Sequence, residues 1–384
     1  MSEAYNKALL PDGLRDLLPP DAAHEASIIE RLLHIVGAHG YERVDPPLVE
    51  FEDSLLDGAG KGVELATFRL MDPVSQRMMG VRADITPQVA RIAATRLAKA
   101  PRPLRLAYAG PVLRVRGDQL RPERQFHEMG IELVGTDHTA ADSEVIALAA
   151  EALMSVGVSD VSVDISLPTL TPTVCDAFEL DSESAGAMRE ALDRKDAAAL
   201  QRLDGPAAEL MGKLLAAAGP ADSALAALKD IALPPVASEN LRNLKEVVCR
   251  VGEAVPGLVL TIDPVENRGF EYHTGLSFTL FAKDARGSLG RGGRYLAGDG
   301  SEPATGFTLF LDSIARAVKP VETGQKVFLP FGTPVGTGRR LREEGWTTIA
   351  GLEASGDSVD EAVWLDCSHL LVDGHPTAVT RKKE

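Results

Sequence analysis

Apolar residues at Ile28, Ile29, Leu32, Leu33 and Val36 recur at helical spacing. That spacing predicts a helix that Asp21 can cap and that Gly37 and Gly40 end. Before it, Leu10 to Pro20 reads as an extended arm with turns, and after it Tyr41–Val44 reads as a strand stopped by Pro46-Pro47. Residues 63–90 mix short strands and turns. Thr86-Pro87 opens a helix running to about Lys99, because proline is tolerated in a first helical turn. Two stretches, about 104–116 and 125–135, predict strands joined by the loop 117–124. An alanine-rich helix, about 140–156, and a strand at Val161–Ile165 follow.

Residues of about 170–255 are dominated by Ala, Leu, Asp and Glu, with glycines that mostly separate helices, and read as a helical insert. Sheet returns at 257–263, 269–282 and 304–311. The glycine-rich stretch 287–293 between the last two either lets a backbone approach a ligand or forms a mobile turn. A helix of about 311–318 stops at Pro320. The tail from Gln325 reads as strand, helix (Thr337–Glu344), strand and a further strand at Leu370–Val372. Strands in hairpin-connected runs predict a mainly antiparallel sheet with helices on one side, an α+β fold. The expected division is a core of residues 1–320, carrying the insert, and a small C-terminal α/β remnant of residues 321–384. Neither a GxGxxG nor a Walker loop is present, which argues against the common dinucleotide and P-loop folds.

Composition narrows the classes. The 384 residues, 45% hydrophobic and 25% charged, fit a soluble globular chain of two or three domains. The three cysteines are far apart, without a CxxC pair or a Cys/His cluster, so neither a disulfide scaffold nor a structural zinc site is expected. No metal and no cofactor are expected. The opening residues lack an apolar signal core, and no apolar run approaches the ~18–20 residues that span a bilayer, so a cytoplasmic chain off the membrane is expected. A net charge of -16 and 5% aromatics speak against nucleic-acid binding.

Alternation along the hairpin places Val112, Arg114 and Arg116 on one face of its first strand and Glu128, Gly130 and Glu132 on one face of its second. Where these faces coincide, two guanidinium groups stand beside two carboxylates, a floor suited to a zwitterion. The other reading is a set of cross-strand ion pairs on a solvated face. Arg121 and Arg124 in the loop could reach phosphates or simply be solvated. Farther on, Glu271, His273 and Ser277 share one face of a predicted strand, with Phe270, Tyr272 and Leu276 on the other. Arg268 falls on the apolar parity unless Gly269 makes a bulge.

In this order, the segments resemble histidyl-tRNA synthetase, a class II aminoacyl-tRNA synthetase. LLPDGLRDLLP is similar to its N-terminal signature, and YERVDPPLVE to motif 1, with Pro47 at the motif proline. Arg82–Thr86 matches the segment that holds the amino group, and GPVLR with RQFHEMGIELVG matches motif 2 and the strand after it. Arg268–Gly275 resembles the histidine-specific element; Gly292–Tyr295 and Gly306-Phe307 resemble the approach to motif 3. The resemblance covers residues 10–320, loosely through the insert. It implies a class II synthetase-like antiparallel sheet flanked by helices, and a two-fold dimer built on motif 1 and Pro47.

Three departures matter. Arg116 stands where the synthetases use a glutamate to accept the adenine amino hydrogens, and a guanidinium has no acceptor. Pro122 and Ser313 replace two nucleotide-binding arginines. The amino-acid positions are better kept, at Asp84, Thr86, Arg114, Glu132 and Arg268, although Glu128 replaces a glutamine and His273 a tyrosine. With the short tail, this pattern resembles the regulatory subunits of ATP phosphoribosyltransferase. That resemblance implies a non-catalytic chain, a homodimer within a hetero-oligomer, expected to be a hetero-octamer. Its partner would be the short-form catalytic subunit of the first step of histidine biosynthesis, which it would activate, with a part in inhibition by histidine. Candidate histidine-binding residues are Asp84, Thr86, Arg114, Glu128, Glu132, Arg268, Tyr272 and His273. The alternatives are a divergent histidine-activating ligase and a free-standing histidine sensor.

Overall fold

The computed structural model describes residues 9–56, 58–117, 121–266, 272–298, 300–320, 324–354 and 357–379. The chain divides into two compact units, Met1–Lys319 and Pro320–Glu384.

The first unit begins with α1 (Asp21–Ala38), whose Ile28, Leu32 and Val36 are fully buried while Ile29 and Leu33 pack at its edge. Burying three such side chains contributes about 1.5–3 kcal/mol each. Asp21 does not cap this helix: Pro20 holds the cap position without a side-chain bond, and Asp21 lies in the first turn. There its charge suits the positive end of the helix. Short strands β1 (Glu42–Arg43) and β2 (Val49–Phe51) follow, then α2 (Glu52–Leu55), β3 (Phe68–Met71) and β4 (Met78–Val81). Strands β2, β4 and β3 form a separate small sheet.

Next come α3 (Thr86–Ala94), β5 (Leu104–Leu113), β6 (Gln125–Val134), α4 (Thr139–Ser155) and β7 (Val161–Ser166). Helix α3 stops at Ala94 rather than near Lys99. The insert supplies α5 to α10 (Leu170–Ala177, Ser182–Asp193, Ala197–Gln201, Pro206–Ala216, Ala221–Lys229 and Pro235–Ala254) and the two-residue β8 (Gly219–Pro220). The unit closes with β9 (Val259–Asp263), β10 (Ser277–Ala282), β11 (Gly290–Ala297), β12 (Glu302–Phe310) and α11 (Leu311–Ala317).

The large sheet has the order β1-β5-β6-β12-β11-β10-β7-β9-β8. Its pairs are antiparallel except β1 with β5 and β7 with β9. Alternation divides its faces. Met129, Ile131 and Leu133 of β6 join α1, α4 and the insert in the main core. Phe126 and Val134 of β6 point the other way, with Tyr108, Tyr295 and Phe310, under α3. Two sequence expectations change here. β5 ends at Leu113, so Arg116 lies beyond the strand, exposed to solvent. Residues 290–297 form a central strand rather than a turn, because neighbouring strands on both sides offset the weak strand preference of glycine.

The second unit is a four-stranded sheet, β13 (Lys326–Leu329), β14 (Thr347–Ala350), β15 (His369–Val372) and β16 (His375–Ala378), in the order β14-β13-β15-β16. Helices α12 (Val335–Glu343) and α13 (Ser358–Trp364) accompany it. Its small core centres on Phe328, Ala362 and Leu370, with Val327, Leu329 and Leu341 on the other side.

Candidate functional site

The register sets three rows of residues across the sheet. Leu106, Glu132, Gly306 and Gly293 form one; Tyr108, Gly130, Thr308 and Arg291 the next; Gly110, Glu128 and Phe310 the third. Glycine lets long side chains lie flat on this floor. A Cβ on Gly306 would stand 2.1 Å from Glu132 Oε2, and one on Gly130 2.4 Å from the Tyr108 hydroxyl.

Glu132, 1% exposed, accepts from the Tyr295 hydroxyl at 2.8 Å and from the Tyr108 hydroxyl at 3.4 Å. Tyr108 also meets Thr308 at 2.8 Å and Thr86 at 3.0 Å. Asp84 accepts the Thr86 backbone N–H at 2.9 Å and stands 4.0 Å from Arg291. Glu128, fully buried, accepts from Arg114 Nη2 at 3.0 Å, and Arg114 Nε donates to the Ala83 carbonyl at 3.1 Å. Burial pushes the Glu128 carboxyl up to about 8; Asp84 adds to the rise and Arg114 opposes it. Burial likewise lifts Glu132 to about 8, opposed first by the Tyr295 hydrogen bond.

Asp84, Thr86, Glu132, Tyr272, His273 and Arg291 line one narrow cavity with about 10 Å³ of free space. That is room for about one water molecule, so a ligand the size of an amino acid enters only as the lining side chains move apart. Of the sequence-derived candidates, Asp84, Thr86, Glu132, Tyr272 and His273 meet here, and Arg114 with Glu128 adjoins them in the next rows. Arg268, with Gly269, Phe270 and Glu271, lies outside the described residues. Residues 272–276 form a turn rather than a strand, so the predicted facing of His273 with Ser277 does not hold. Instead the His273 ring lies against Tyr272, centroids 4.0 Å apart, and beside Gly293.

Sequence reasoning missed Arg291, Tyr295, Tyr108 and Thr308. The expected second guanidinium was Arg116; Arg291 takes that role from a different strand. The available signal was the alternation of Arg291, Gly293 and Tyr295 within GRGGRYL, hidden by its glycines. Arg294, on the opposite parity, anchors the 272–276 turn. Its backbone N–H donates to the Leu276 carbonyl and its carbonyl accepts from Thr274 N–H, while the guanidinium binds Asp142 at 2.8 Å and the Thr136 carbonyl at 2.9 Å.

The positions that the resemblance marks as departures from a nucleotide site lie around the far end of β6. Arg116 and Pro122 are exposed; Ser313 is buried, its hydroxyl 3.4 Å from Arg316 Nη2. Gln88 Nε2 donates to the Pro47 carbonyl at 2.7 Å, and Arg82 Nη1 to the Pro46 carbonyl at 2.8 Å, tying the motif 1 prolines to α3 and to the segment before it. Among the described residues, no group of three or more His, Cys, Asp or Glu is placed to hold a metal ion, and no helix is long and apolar enough to cross a membrane.

The histidyl-tRNA synthetase family model matches residues 13–314. An ATP phosphoribosyltransferase regulatory subunit of Paramagnetospirillum magneticum is 56% identical over 371 residues, 97% of this chain and 98% of that protein. The chain belongs to the ATP phosphoribosyltransferase regulatory subunit family. Members from Rhodospirillum centenum, 56% identical over 96% of this chain and 95% of that one, and Rhodospirillum rubrum, 48% identical over 97% and 98%, agree. A solved structure described as an ATP phosphoribosyltransferase regulatory subunit/histidyl-tRNA synthetase from Bacillus halodurans superposes with a TM-score of 0.81 at 21% identity, over 94% of this chain and 97% of that one. Histidyl-tRNA synthetase from Nostoc gives 0.79 at 19% identity, over 95% and 91%. These two establish the class II synthetase-like α+β fold. As a member of the regulatory subunit family, the chain is a regulatory rather than a catalytic subunit.

Proposed function

We propose that this chain activates a short-form ATP phosphoribosyltransferase catalytic subunit and carries the feedback signal of histidine to it. The observation that carries the ligand assignment is the convergence of Asp84, Thr86, Glu132, His273 and Arg291 on one small cavity. A zwitterion with a third polar group finds a partner for each end. Arg291, with Arg114 nearby, faces the carboxylate, Asp84 or Glu128 the ammonium, and Glu132 the imidazole N–H. Feedback then requires that histidine bind the inactive assembly more tightly than the active one.

Two positions speak against the ligase alternative. The adenine-accepting position is the solvent-exposed Arg116, and Ser313 supplies no cation. The expected assembly is a homodimer within a hetero-oligomer with the catalytic subunit. The test is reconstitution. The short-form catalytic subunit, assayed with and without this chain, gains activity and co-purifies with it, and histidine suppresses the gain. Absence of activation with a folded chain sinks this reading, as does histidine-dependent exchange of pyrophosphate into ATP by the pure chain.

A further inference from the structure

At the end of β6 away from the cavity, Phe126 and Phe310 meet edge to face, centroids 6.3 Å apart and planes at 81°. The guanidinium of Arg121 lies 3.7 Å from the Phe310 ring centre and 5.1 Å from that of Phe126. Arg121 Nε stands 3.7 Å from Asp312 Oδ2, and the side chain is only 11% exposed. Arg114 also approaches Phe126, at 4.9 Å. Of the two readings the sequence allows for this loop arginine, solvated or reaching for phosphate, the first does not hold, because the side chain is largely buried.

We propose that Arg121 is an internal ligand: its guanidinium fills the aromatic corner between Phe126 and Phe310, where a planar purine ring would stack, and so keeps adenine nucleotides off this chain. A guanidinium is planar, weakly hydrated and stacks on aromatic faces as a nucleobase does, so the two compete for one surface. Asp312 supplies the opposite charge, which favours a cation in the corner over a polyphosphate beside it.

The loop is held from several sides, which makes Arg121 an occupant rather than a passing contact. Arg124 N–H donates to the Gly13 carbonyl of the N-terminal arm at 2.8 Å, and Arg114 N–H to the Arg124 carbonyl at 2.8 Å. Arg124 Nη1 reaches the Asp12 carbonyl at 3.0 Å. From α11, Arg316 joins Glu123 at 3.2 Å and Asp312 at 3.0 Å. A Cβ on Gly117 would stand 2.4 Å from the Pro122 carbonyl oxygen, so glycine is needed for this close fold. The changes at Arg116, Pro122 and Ser313 remove contacts to a nucleotide; Arg121 adds an obstacle. The proposal stands whether or not histidine is the ligand of the cavity.

The experiment is titration calorimetry of the full chain with adenosine and with ATP. Arg121→Ala is expected to bind both at least about tenfold more tightly than the unaltered chain, and the double variant Arg121→Ala/Phe310→Leu to lose that gain. Equal affinity in the unaltered chain and Arg121→Ala overturns the proposal, and so does a gain that persists without the Phe310 ring. Circular dichroism checks the fold; where Arg121→Ala does not fold, Arg121→Gln replaces it under the same two criteria. Pyrophosphate exchange, measured in parallel, stays at background in every variant. Exchange would count against the regulatory reading without touching the role of Arg121.

Discussion

Arg114 donates to one oxygen of Glu128 at 3.0 Å, while the other oxygen of that fully buried carboxyl has no hydrogen-bond partner among the described residues. A buried acceptor left open is costly unless it is protonated or a ligand donor reaches it. Both routes are measurable.

The first is the pH dependence of the ligand-free chain. Glu128 and Glu132 are raised from 4.5 to about 8. An acid raised on folding contributes most below its unfolded value, and that contribution falls as pH rises until the folded value is passed. The melting temperature should therefore fall between about pH 5 and pH 8, and Glu128→Gln, which cannot ionise, should reduce the fall. A variant with the same slope as the unaltered chain removes Glu128 as the source.

Ligand binding should follow the opposite trend. An ammonium or imidazole N–H is best met by ionised carboxylates, so histidine affinity should rise from pH 6 to pH 8 with release of protons. Calorimetry in buffers of different ionisation heat measures that release; a heat independent of buffer contradicts it.

Glu132→Gln should weaken histidine binding by about 1–3 kcal/mol if this carboxylate takes the ring N–H. Tyr295→Phe, which removes one support of Glu132, should cost less. Asp84→Ala should weaken binding through the amino end. Unchanged affinity in Glu132→Gln and Asp84→Ala moves the histidine site out of this cavity.

Arg294→Ala should destabilise the chain by about 3–5 kcal/mol, because it leaves the nearly buried Asp142 without its cation. Arg294→Lys should retain part of that stability but loosen the turn that carries His273, so histidine affinity falls more than stability does. Denaturant unfolding and calorimetry on the same samples separate the two.

The free chain should sediment as a dimer through the surface around Pro47, a two-fold contact being the commonest oligomer geometry. A monomer that persists as concentration rises contradicts this.

The sequence by itself determined what depends on neighbours along the chain. The buried stripe Ile28, Leu32 and Val36 was legible because a helix repeats every 3.6 residues. The shared face of Glu128, Gly130 and Glu132 was legible because a strand repeats every two. Tertiary structure decided what depends on which strands become neighbours. Pairing of β11 between β10 and β12 turned a glycine-rich stretch into a central strand and brought Arg291 beside Thr308, opposite Asp84. The end of β5 at Leu113 put Arg116 into solvent, and packing of α11 against the loop carried Arg121 onto Phe310. Periodicity is a local property, whereas strand order and loop docking are set by contacts between residues far apart in sequence, which no local pattern encodes.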